Sequence, residues 1–95
     1  MKPREQRQPD DRCRPKLFSL EEWLAIMKHL KLSPRQAEVV GLTIQSKKAK
    51  QIGATLGISK FTVITNLNIC RRKLIASDSM GLFYRVVESY RRLYR

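Results

Sequence analysis

No aspartate or glutamate occurs between Glu38 and Asp78, yet the same window holds Lys47, Lys48, Lys50, Lys60, Arg71, Arg72 and Lys73. A surface built from such a stretch carries charge of one sign, which excludes cationic partners and favours polyanions. Cysteine and histidine are scarce. Cys13 and Cys70 stand far apart in sequence, and His29 is the single imidazole. Neither a disulfide framework nor a metal site is expected from so few ligands, and no cofactor is implied. No apolar run approaches the roughly 20 residues of a membrane span, and Met1 to Lys16 has no secretory apolar stretch. Paired carboxylates, a nucleophile with its base and a glycine-rich phosphate loop are all missing, so the chain is not read as an enzyme. No small-molecule ligand or membrane partner is suggested, and a cytoplasmic, nucleoid-associated location is expected.

What the chain does have is basic charge and a modest apolar fraction. Its 95 residues carry 20 Lys and Arg against 8 Asp and Glu, a net charge of +12. That length supports one small domain whose core is marginal, with added stability expected from a partner chain or from DNA. The first sixteen residues include Pro3, Pro9 and Pro15 and no Leu, Ile or Val. They are expected to form a disordered basic tail, 1–16, ahead of a folded domain over 17–95.

Capping signals divide the domain. Ser19 with Glu22 and Ser33 with Gln36 have the capping-box spacing, and Pro34 suits a first helical position. Leu20, Trp23, Leu24, Met27 and Leu30 share a face of a first helix over 19–30. Ala37, Val40 and Ile44 define a second over 34–45, in which Gly41 marks a close helix crossing. A third helix, 48–56, ends at Gly57, which can take a left-handed conformation, and Ser59 caps a fourth over 60–74. Val63, Leu67, Cys70 and Leu74 form its inward stripe, with Cys70 as a small apolar residue. A last helix starts at Ser77-Asp78-Ser79 and runs nearly to Arg95. Its Met80, Phe83, Val87, Tyr90 and Tyr94 stripe is broadened by Leu82, Val86 and Leu93. The expected class is all-α.

Gly53, Gly57 and Val63 stand at the offsets of a helix-turn-helix: a small residue, a turn glycine and an apolar residue on the second helix. The wider pattern runs Leu32-Ser-Pro-Arg-Gln-Ala-Glu-Val-Val40, Lys50-Gln-Ile52, Leu56-Gly-Ile-Ser59, Thr62-Val63 and Arg72-Lys-Leu74. Over about 32–88 it resembles the LuxR-type (NarL/FixJ-like) DNA-binding domain. The resemblance implies a tetrahelical helix-turn-helix core, here with an extra N-terminal helix, in a small helical bundle. Three positions depart from the family pattern: Gly53 replaces an alanine, Ile64 a frequent DNA-contacting lysine, and Asn66 a frequent histidine. With only a tail and the Trp23 helix ahead of the module, the chain resembles the family's stand-alone form.

The resemblance implies a sequence-specific regulator that binds double-stranded DNA with helix 60–74 in the major groove. Family positions for base contact fall on Ile64, Thr65 and Asn68, and a helical wheel adds Phe61 and Arg72 to the same outward face. Asn68 suits adenine and Ile64 or Thr65 a thymine methyl, which leans the expected site towards A·T. Phe61, Ile64 and Ile69 could instead pack on a neighbouring helix or chain. Lys47, Lys48, Lys50, Lys60, Arg71 and Lys73 are the candidate phosphate contacts. Val86, Tyr90, Leu93 and Tyr94 are the candidate contacts of a homodimer, while Phe83 and Val87 are assigned to the domain's own core. Two other readings compete. One is a sigma-factor-like promoter module docked on RNA polymerase; the other is a protein-binding adaptor using the aromatic last helix.

Overall fold

The computed structural model describes residues 7–94. A single 3-10 turn at Asp11–Cys13 precedes five helices: α1 (Leu20–His29), α2 (Pro34–Ile44), α3 (Ala49–Leu56), α4 (Lys60–Leu74) and α5 (Ser79–Leu93). Among the described residues there is no strand. The all-α expectation therefore holds.

Local chemistry sets the helix ends. The Ser19 side chain accepts from the Glu22 amide at 3.2 Å, and Glu22 Oε1 accepts from the Ser19 amide at 2.8 Å. Ser33 and Gln36 repeat the arrangement at 3.2 and 3.0 Å, with Pro34 opening α2. Gly57 ends α3 at φ 68°, a left-handed conformation that a side chain would strain. Helix α4 ends the same way, but on Ile75 at φ 55°. A β-branched residue there is unusual, and this one is 89 % exposed, so no packing contact offsets the strain.

The core gathers Trp23 and Ile26 of α1, Val39 and Val40 of α2, Ile52 of α3, Val63 and Leu67 of α4, and Leu82 and Val86 of α5. All four residues of the expected α4 stripe, Val63, Leu67, Cys70 and Leu74, are buried. Leu20, expected on the inward face of α1, is 40 % exposed; Ile26 is buried instead.

Two further sequence expectations need correction. The stretch read as a disordered tail, 1–16, is packed on the domain over residues 7–16: Cys13 and Pro15 are buried, as is Phe18 just beyond it. Residues 1–6 lie outside the described part. The segment lies along α2 because α2 accommodates it. A Cβ on Gly41 would stand 2.0 Å from the Cys13 carbonyl oxygen, so only glycine permits the approach. That carbonyl accepts from Gln45 Nε2 at 3.0 Å. The close helix crossing expected at Gly41 is instead an approach by the end of the Asp11–Cys13 turn, with Trp23 Cζ2 of α1 also near. Phe18 then begins a chain of rings, 6.0 Å from Trp23 and 5.3 Å from Tyr90, with Tyr94 a further 5.1 Å along.

The second correction concerns the rotation of α5. Its buried line is Leu82, Val86 and Ser89, so Phe83 and Val87, assigned to the core, are only half-buried. Ser89 is satisfied by His29 Nδ1 at 2.6 Å, a bond that ties α1 to α5.

Candidate nucleic-acid interface

Helices α3 and α4 form the helix-turn-helix, and Gly53 fixes their approach. A Cβ there would meet the Ile58 carbonyl oxygen at 2.6 Å, so the turn sits closer to α3 than an alanine would comfortably allow. Ile58 donates its amide to the Gly53 carbonyl at 3.0 Å, and its side chain packs on the core. Ser59 accepts from the Thr62 amide at 3.1 Å and starts α4.

With Val63, Leu67, Cys70 and Leu74 buried, the opposite side of α4 is solvent-facing. Phe61, Ile64, Thr65, Asn68 and Arg72 are all exposed, spaced at i, i+3, i+4, i+7 and i+11 on one face. Phe61 is 78 % exposed and stands clear of the domain, whereas Ile64, at 37 %, is partly covered by it. Their polar neighbours are partly committed. The Thr65 hydroxyl donates to the Phe61 carbonyl at 3.0 Å, and Asn66 Nδ2 donates to the Thr62 carbonyl at 2.9 Å. Among the described residues the Asn68 amide has no such internal partner.

Several cations of the acid-free window are also exposed. Lys47, Lys48 and Lys50 are exposed around the start of α3, and Lys60 opens α4. Gln51 accepts from the Lys48 amide at 2.9 Å, but no side chain caps the first-turn amides of α3. Those amides and the helix dipole add to the positive field. The ion pairs among the described residues involve Arg7, Arg12, Arg14, Arg35 and Arg85. None of the cations of the acid-free window is among them. Lys73 is the exception among the expected phosphate contacts. Its ammonium donates to the Lys31 carbonyl, which turns it towards the loop between α1 and α2. Arg71 is half-buried, with its Nε enclosed.

Glu38, the last acid before the window, is buried under the N-terminal segment. Arg7 donates to both of its oxygens at 2.8 and 2.9 Å, the Asp10 amide adds a bond at 2.7 Å, and Arg35 lies 3.4 Å away. Burial alone would raise this carboxyl. The Arg7 and Asp10 hydrogen bonds and the two guanidinium charges overcome it and hold the group below its usual value. The two thiols are protonated at neutral pH, since burial pushes both Cys13 and Cys70 up to about 11.

The expected dimer residues do not share one surface. Val86 is fully buried in the protomer's own core and cannot touch a second chain. Tyr90 packs on Phe18 and donates its hydroxyl to Glu22 at 3.1 Å. Leu93 and Tyr94 are 41 % and 46 % exposed at the end of α5. The outermost line of α5 is instead Met80, Tyr84, Val87 and Arg91, with Met80 73 % and Tyr84 64 % exposed. Sequence reasoning missed Tyr84; its i+4 spacing from Met80 was the available signal.

Among the described residues, no helix is long and apolar enough to cross a membrane. The GerE family model, described as bacterial regulatory proteins of the luxR family, matches residues 30–86, from the end of α1 into α5. No curated protein and no solved structure matches the chain.

Proposed function

The chain belongs to the luxR family of bacterial regulatory proteins, a family of DNA-binding transcription regulators, and from that premise we propose that it recognises a specific duplex site as a homodimer. Helix α4 is the reading element, entering the major groove with its Phe61–Arg72 face. The observation that carries this reading is the exposure of Phe61, Ile64, Thr65, Asn68 and Arg72 on one face, opposite four buried residues. Asn68 is the hydrogen-bonding reader, since its amide can serve adenine in the major groove. Lys47, Lys48, Lys50, Lys60 and Arg71 hold the phosphates, and the uncapped start of α3 assists them. Arg72, in the last turn of α4, is placed at the end of the reading face.

A second copy is assigned to the outer face of α5 through Met80, Tyr84 and Val87, with Leu93 and Tyr94 at its edge. Exposure of large apolar side chains along one helix supports this choice over Val86 and Tyr90. A two-fold pair of this kind reads an inverted repeat. Selection of bound fragments from random duplex DNA by the purified protein tests the reading. A recovered inverted repeat supports it; recovery of unrelated fragments with no common sequence contradicts it.

A further inference from the structure

We infer that the first two turns of α4 recognise thymine by its C5-methyl group, through apolar contact with Phe61 and Ile64. This rests on the proposed entry of α4 into the major groove and names what it selects there.

The groove-facing surface of those two turns holds no charged side chain. Phe61, Ile64 and Thr65 occupy it, with Lys60 at the start of the helix and Arg71 in its last turn. Bidentate reading of guanine uses Arg or Lys, and the one such side chain in those two turns, Lys60, is assigned above to a phosphate. The polar groups are limited too. The Thr65 hydroxyl hydrogen is committed to the Phe61 carbonyl at 3.0 Å. Thr65 therefore offers a base its methyl group and acceptor lone pairs. Asn66 is tied to the Thr62 carbonyl at 2.9 Å.

Two large apolar side chains remain at the end of the helix that meets base edges in helix-turn-helix docking, and Phe61 is 78 % exposed. Left in water they gain nothing. In the major groove the one apolar group that distinguishes a base pair is the thymine methyl. Asn68, one turn further along, can then take adenine. A 5-methylcytosine carries the same methyl at the same groove position, so it is recognised as thymine is at these steps.

The test uses the intact protein and duplexes carrying its selected site. Each thymine is replaced by deoxyuridine, which removes the methyl and leaves base pairing unchanged. At the steps facing Phe61 and Ile64 the wild type should bind about four-fold more weakly per methyl removed, the worth of one buried methyl group. The exposed-surface variants Phe61→Ala and Ile64→Ala should bind the thymine and deoxyuridine duplexes alike. In a site carrying cytosine at such a step, methylation at C5 should restore binding by a similar factor. Equal binding of thymine and deoxyuridine sites by the wild type overturns the inference and leaves the proposed function standing, as does a deoxyuridine penalty that survives both alanine variants. Failure to select any common site overturns the proposed function and the inference together.

Discussion

Arg7 grips both carboxylate oxygens of Glu38, 31 positions further along the chain, at 2.8 and 2.9 Å. The pair fastens the N-terminal segment to α2, and it neutralises the acid nearest the basic window. Truncation by Arg7→Ala should cost about 1 to 2 kcal/mol, between the values for exposed and buried pairs, because Arg7 is 39 % exposed while Glu38 is 3 %. The pH dependence follows from the direction of the Glu38 shift. Its folded value lies below 4.5, so its contribution is present above that pH and disappears as acid protonates it. Thermal unfolding at pH 7 and at pH 3.5 should therefore show a smaller acid-induced loss in Arg7→Ala than in the wild type. Equal losses would show that the pair contributes nothing.

Gly41 should be intolerant of even one carbon. Gly41→Ala places a Cβ 2.0 Å from the Cys13 carbonyl oxygen, and backbone must move. The expected result is release of the segment before α1, at a cost of about 2 to 3 kcal/mol as in other overpacked sites. Limited trypsin digestion should then cut after Arg12 faster than in the wild type, with α3 and α4 still protected. Unchanged cleavage rates would contradict the packing described.

Ile75 offers the opposite result. Its left-handed backbone carries strain that its exposed side chain does not offset. Ile75→Asn should stabilise the domain by about 1 kcal/mol, which raises Tm by roughly 4–8 °C in a domain this small. Ile75→Gly should gain less, because glycine is more disordered when unfolded. A lower Tm for Ile75→Asn would mean that Ile75 has a packing role not visible in its exposure.

Much of this fold is readable from short-range chemistry. Ser19 with Glu22 and Ser33 with Gln36 cap as their spacing demands, and Gly57 turns where a left-handed residue is needed. The α4 stripe reads correctly because only one line of that helix is apolar enough to bury. On α5 two apolar lines compete, Leu82–Val86 and Met80–Tyr84–Val87. Periodicity cannot choose between them; packing against α1 and α2 does. The docked N-terminal segment is invisible to composition, since it is held by one glycine on α2, a buried Glu38 and a single aromatic, Phe18. Exposure of the reading face followed from the α4 stripe, whereas the tie between the Thr65 hydroxyl and the Phe61 carbonyl needed coordinates. So did the turn of Lys73 towards Lys31.

Salt should weaken binding steeply. With the five assigned cations displacing counterions from duplex DNA, log K should fall against log salt with a slope of about −4.5. Neutralising Lys47, Lys48 and Lys50 together should make the slope shallower by about 3. Lys73→Ala should leave it nearly unchanged, because that ammonium is engaged by Lys31. A titration read by fluorescence anisotropy decides this, and a slope near zero would reduce the window to a solvated surface.

The most direct measurement compares wild type with a Thr65→Ala, Asn68→Ala double variant on the selected duplex and on a scrambled one of equal length, at one salt concentration. Both side chains are exposed, so the variant should keep the wild-type circular dichroism. It should bind scrambled DNA as the wild type does and lose about ten-fold or more on the selected site, the worth of a base contact. Full wild-type discrimination by the double variant would contradict the assignment of α4 as the element that reads DNA.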